Sequence, residues 1–182
     1  MGFDSTSFDS SRWSVVSGAT IDTVGIAEPS PDLAARMNGR PSGGDRIESI
    51  IIDLSGRSSA TLSYFFQRGG GGESPGPGDD LILEYRNSLG SWVELQRQLG
   101  SGPNMSNFQQ RTVALPTAAL HSNFQFRFRN IGTPSSDSNL DDWFVDNIEL
   151  NADDGTTGGG TFTGTQTKNN NVFFPNVLTF NF

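Results

Sequence analysis

Cysteine is missing from all 182 residues. Its absence removes disulfides, thiol nucleophiles and thiolate metal sites in one step. The single histidine, His121, is the one candidate for a Ser–His–Asp triad. No G-x-S-x-G elbow accompanies it, so it reads as an exposed loop residue. Basic charge is scarce too: 12 Lys and Arg stand against 20 Asp and Glu, a net charge of −8. That balance opposes binding to a phosphate backbone and excludes nucleic acid as a partner, while it suits cation binding and solubility outside the cell. No apolar run approaches the roughly 18 residues of a membrane span. The opening MGFDSTSFDSS has neither the basic nor the apolar region of a signal peptide. An exported protein would therefore be met here as a mature form or a fragment.

What the chain does have is glycine (22), proline (9) and short β-branched or aromatic runs, with no sustained helical period. That combination predicts an all-β fold with long turns. Strands are expected at 12–16, 19–24, 47–54, 60–67, 79–87, 92–98, 108–115, 123–130 and 140–150, and one helical turn at 32–37. Alternation is cleanest at 123–130, where Phe124, Phe126 and Phe128 oppose Gln125, Arg127 and Arg129. About nine strands at such spacing suit a two-sheet sandwich. Arg68–Gly78, RGGGGESPGPG, reads as a surface loop. A phosphate-binding role would need a helix after it, and a strand follows instead.

Acids concentrate at two places. Asp79 and Asp80 open one strand, and Asp141, Asp142 and Asp146 belong to LDDWFVDNIEL, 140–150. On period 2, Asp146 shares a face with Phe144, Ile148 and Leu150, so its carboxylate needs a hydrogen bond, an ion pair or a metal. Calcium takes six to eight oxygens and could use such acids. The competing reading makes 79–80 and 141–142 turn residues and pairs Asp146 with Arg127 or Arg129. Paired carboxylates also serve glycoside hydrolysis, but nothing singles out one pair, and the chain is read as non-enzymatic. Trp13 and Trp143 read as core. Trp92, after a hairpin turn, stays open as a sugar-stacking ring.

FDSSRW, GGDRIES with IIDLSG, ATLSYFF, GDDLILEYRN with GSWVEL, FQFRFRNIG and DDWFVDNIEL occur in an order that resembles MAM-like and reelin-repeat-like extracellular jelly rolls, over about 8–150. The lack of cysteine is similar to bacterial forms of these modules and departs from the disulfide-bearing animal ones. The resemblance implies a two-sheet antiparallel jelly-roll β-sandwich, extracellular or at the cell surface, serving adhesion or assembly. It also implies a structural cation, often Ca2+, on Asp142 and Asp146, with Asp79 and Asp80 at the matching strand start. Asp4 and Asp9 are added by position alone.

The chain divides into a sandwich at 1–150, a Gly/Thr/Asn-rich connector at 151–171 and an apolar C-terminal arm at 172–182. The arm carries Val172, Phe173, Phe174, Val177, Leu178, Phe180 and Phe182. Extended, it spans roughly 35 Å, and a strand of this kind can add to a sheet edge. Three arrangements stand open: docking on a neighbouring subunit, folding back as an edge strand of its own domain, or leading into a further domain. The first makes the protein a self-assembling homopolymer, a filament or surface layer. The alternative function is a carbohydrate- or protein-binding adhesion module, with a glycan partner held by the loops 26–44, 68–78 and 132–139.

Overall fold

The computed structural model describes residues 2–30, 32–39, 44–131, 141–154, 172–173 and 177–181. The strands are β1 (Trp13–Ser17), β2 (Thr20–Asp22), β3 (Ala34–Met37), β4 (Arg46–Ser49), β5 (Ser59–Arg68), β6 (Asp80–Arg86), β7 (Trp92–Gln98), β8 (Gln109–Ala114), β9 (Phe126–Ile131), β10 (Trp143–Asp153), β11 (Val172–Phe173) and β12 (Val177–Asn181). One 3-10 turn, Thr117–Ala119, interrupts them. They form two antiparallel sheets, a jelly-roll β-sandwich. One has five strands in the order β1-β4-β9-β6-β7. The other has seven, with β10 at its centre: β5 flanks β10 on one side and carries β8, while β3 and β12 share the other side.

Alternation builds the core. Phe124, Phe126 and Phe128 are fully buried, and so are Leu62, Tyr64 and Phe66 across the sandwich. Tyr64 meets Phe128 edge-on with ring centroids 4.8 Å apart. Burying side chains of this size contributes roughly 1.5–3 kcal/mol each. Trp13 and Trp143 are buried with them.

Two expectations change. Residues 34–37 form β3, not a helical turn. Their AARM sequence favours helix locally, but Ala34, Ala35 and Met37 bury fully once paired on β10, and packing outweighs a weak propensity. In β10 the period-2 reading fails after Val145. The register shifts between Asp146 and Glu149, and Asn147 adopts φ +45°. A bulge of this kind reverses the facing of later residues. Trp143 and Val145 therefore join Ile148, Leu150 and Ala152 in the core, and Asp146 lies on the opposite face.

The C-terminal arm docks on its own chain. Residues 177–181 pair antiparallel with Asp153–Glu149 of β10, and β11 pairs with β12. The reason is an unfilled edge: β3 covers β10 only along Trp143–Val145, and unpaired backbone groups beyond that point need partners. Thr179 Oγ1 adds a 2.6 Å hydrogen bond to Asn151 Oδ1. Val172, Phe173, Val177, Leu178 and Phe180, expected to dock on a neighbouring subunit, lie here in strands of their own sheet, the second of the three arrangements left open. Phe174 and Phe182, with 155–171 of the connector, fall outside the described residues. The start of the proposed connector, 151–153, belongs to β10.

Candidate functional site: a cleft beneath the glycine-rich loop

Arg68 ends β5 and the chain then runs through four glycines. The sequence needs them because other groups occupy the space side chains would take. A Cβ on Gly71 would lie 2.7 Å from the Val24 carbonyl oxygen, and one on Gly72 would collide with the Asp142 carboxylate. The run thus lets backbone pass directly over β10 and the loop after β2.

Loop 99–107 is stitched to this run. Arg68 donates to the carbonyls of Leu99 (2.9 Å) and Pro103 (3.0 and 3.1 Å). Ser74 Oγ donates to Gly102 O at 3.0 Å, and Asn104 Nδ2 to Gly72 O at 3.2 Å. Between these loops and β3 lies a cleft of about 570 Å³, lined by Val24, Arg36, Gly71, Gly72, Glu73, Ser74, Asn104 and Asp142. Small-molecule sites commonly measure roughly 300–1,000 Å³.

Asp142 anchors the cleft and is fully buried. Its Oδ1 accepts from Arg36 Nε at 2.6 Å and its Oδ2 from Glu73 N at 2.9 Å. Its own N–H donates to Glu73 O at 3.1 Å. Arg36 also reaches Asp22 Oδ2 at 3.3 Å. Glu73 is exposed, and its carboxylate has no hydrogen-bond or ion-pair partner among the described residues. The cleft therefore presents a fixed guanidinium, one unengaged carboxylate and the Asn104 amide. Together they offer donors and acceptors to a ligand rich in hydroxyls.

Beside the cleft, Asp141 sits at φ +63° with its carboxyl pushed up to about 6. Burial is the main cause, and the charge of Asp79 adds to it; the Gly76 N–H, 3.4 Å from Oδ1, works the other way.

The four aspartates read as a cation set are not assembled as one. Asp142 is committed to Arg36. Asp80 accepts from Arg97 at 2.9 Å and from Gly100 N at 2.8 Å. Asp146 accepts from Ser30 N and Oγ at 2.8–3.0 Å and from Asn147 N at 2.7 Å; its burial still pushes its pKa up against those bonds. Asp79 adjoins Asp141. Among the described residues no group of three or more His, Asp or Glu side chains is arranged for a metal ion, so this set does not fit calcium. Asp4 and Asp9 lie apart from them, along a small cavity beside Trp13. Nor does Asp146 pair with Arg127 or Arg129, since both donate to Glu84, at 2.6 and 2.8 Å.

Arg36 and Glu73 lie in two of the loops, 26–44 and 68–78, that the sequence offers for glycan binding, but the sequence singles out neither residue, nor Asn104 as a cleft residue. His121 is half-buried rather than exposed: it accepts at Nδ1 from Asn123 N and contacts Arg86 O through Nε2 at 3.1 Å.

No protein-family model and no curated protein sequence matches the chain. Solved structures do. An arabinose-bound α-L-arabinofuranosidase aligns at 13% identity and a TM-score of 0.50, over 76% of this chain and 22% of that one. This chain thus corresponds to about a fifth of that protein. A family 16 carbohydrate-binding module aligns at 14% identity and a TM-score of 0.44, over 73% of this chain and 84% of its own. A carbohydrate-binding module in complex with β-1,4-galactotriose aligns at 12% and 0.44, over 81% and 98%. At these identities the likeness is one of fold. It agrees with the jelly-roll sandwich and lends nothing to the MAM-like assignment.

Proposed function

We propose that the chain is a non-catalytic carbohydrate-binding module, acting outside the cell, whose glycan partner lies in the cleft beneath the glycine-rich loop. The observation that carries this reading is the cleft's lining. A buried Asp142–Arg36 pair fixes donors in place, while Glu73 and Asn104 leave acceptors open. Sugar hydroxyls both donate and accept, so they satisfy such a mixed set better than an apolar or singly charged ligand does. The chain's acidity, net −8, disfavours phosphate-rich partners. An α-L-arabinofuranosidase solved with arabinose bound carries a similar fold over about a fifth of its length, and that company is in keeping with the reading. Among the described residues no helix is long and apolar enough to cross a membrane.

Affinity electrophoresis through gels containing arabinan, xylan, galactan or β-glucan tests this. The expected result is retardation by at least one polymer, lost in Asn104→Ala at an unchanged melting temperature. Migration unaffected by every polymer would end the reading.

A further inference from the structure

Charge in the cleft is one-sided. Among the described residues that line it, Arg36 is the single cation, and it is already neutralised by Asp142 at 2.6 Å and Asp22 at 3.3 Å. Glu73 adds a carboxylate that no described residue balances. It stands on the glycine-rich loop that lines the cleft, held there by its backbone: its N–H donates to Asp142 Oδ2 and its carbonyl accepts from Asp142 N. The backbone is thus fixed while the side chain is left to the ligand. A carboxylate has two oxygens and about four acceptor positions and no donor. It suits the paired O–H groups of a vicinal diol. It opposes a ligand acid that would have to sit beside it, because two like charges brought together in a half-desolvated cleft repel.

We infer that the cleft takes uncharged glycans and rejects uronate-bearing or sulfated ones, with Glu73 as the residue that makes the distinction. The inference rests on the glycan-binding reading and adds to it a charge class and a determinant. The lining supports it against the opposite choice: a uronate site would need a cation free to receive the acid, and Arg36 already serves two carboxylates. Glu73 also lies outside the core and the strand ladders, so altering it acts on recognition and leaves the fold alone.

Titration calorimetry of the full chain and of Glu73→Gln decides it, using neutral arabino-, xylo- and galacto-oligosaccharides beside oligogalacturonate and a sulfated galactan fragment, at low and high ionic strength. The wild type should bind a neutral oligosaccharide and show no heat with the acidic ones. Glu73→Gln should weaken neutral binding and admit the acidic fragments, shifting the ratio of the two affinities by about fivefold or more, the effect of one unit charge about 4 Å away in bulk water. Added salt should narrow the wild type's discrimination. Three results overturn the inference: a wild type that prefers the acidic fragments, a Glu73→Gln that scales both classes alike, or discrimination that salt leaves untouched. Each of these leaves glycan binding standing. A wild type that binds neither class removes the parent reading and this one together. The melting temperature of Glu73→Gln should match the wild type, which separates recognition from folding.

Discussion

The outer face of the five-stranded sheet and the cleft beneath the glycine-rich loop are both built from arginine and carboxylate, and they use them differently. On the sheet face Arg46, Arg97, Arg127 and Arg129 each meet a carboxylate, from Glu48, Glu84, Glu94 or Asp80. Arg97 and Arg129 lie directly opposite Ile82 on its two neighbouring strands, and Ile82 is fully buried although it is outside the sandwich core. In the cleft a single arginine is held by two acids and a third acid is left over. A closed lattice stabilises a surface. An unclosed one leaves hydrogen-bonding capacity for a ligand.

Breaking the two networks should separate them by size. Asp142 is fully buried and supports both Arg36 and the loop backbone. Asp142→Ala leaves Arg36 with Asp22 alone at 3.3 Å and takes away the acceptor of the Glu73 N–H, and it should cost about 3–5 kcal/mol in urea unfolding. Glu84 is also buried, but it holds only side chains, Glu84→Gln keeps an acceptor oxygen in its place, and Arg127 keeps Glu48 at 3.6 Å. Glu84→Gln should therefore cost less, about 1–3 kcal/mol. If Glu84→Gln proves the more damaging, the sheet face is the stiffer network and the assignment of roles is reversed.

The regions should also part on the pH axis. Burial works to raise Glu84, but the hydrogen bonds and charges of Arg129 and Arg127 outweigh it and hold the group below its usual value of 4.5. Stability from Glu84 is therefore present above that pH and fades as pH falls through the depressed folded value. Asp141 has the opposite sign. Its folded value is raised from 3.8 to about 6, so the folded chain holds this proton more tightly than the unfolded one, and stability declines as pH rises through that window. Asp141→Asn keeps a carbonyl for the Gly76 N–H, and asparagine tolerates the positive φ. The variant should match the wild type near pH 4, and should exceed it by about 1–2 kcal/mol near pH 8. A constant difference between the two pH values would show that Asp141 does not titrate at the raised value.

The sheet face was more legible in the sequence than the cleft, and the cause is physical. FQFRFRN announces a strand with one apolar and one cationic face, and period 2 needs no knowledge of distant residues. The tail strand was legible as a strand, but its acceptor was not. Whether an apolar edge strand finds its own sheet or a neighbour's depends on the gap β3 leaves on β10, which only the folded register reveals. The cleft depends on long-range meetings: Arg36 with Asp142, Gly72 with that carboxylate, Asn104 with Gly72 O. The bulge at Asp146–Glu149 hides in a sequence whose alternation looks unbroken, so period 2 groups Asp146 with Ile148 and Leu150, which face the other way; the hydrogen bond its carboxylate requires is made, though not to Arg127 or Arg129. Ser30, its actual partner, lies in a loop with no local mark.

Trp92 offers the finest discrimination between the two regions. As a partly exposed tryptophan it is the ring a sugar would be expected to stack on, yet the Arg127 guanidinium lies 4.3 Å from its centroid and Glu84 holds that guanidinium in place at 2.6 Å. An aromatic face covered by a fixed cation is spoken for. Trp92→Leu should lose about 0.5–1 kcal/mol of stability, the range of an exposed cation–π contact, and should leave glycan affinity as it was. A tenfold loss of affinity in the same variant would move the ligand out of the cleft and onto the sheet. The arginine lattice would then have to open to admit it, and raising the ionic strength, which loosens such pairs, would tighten binding rather than leave it unchanged.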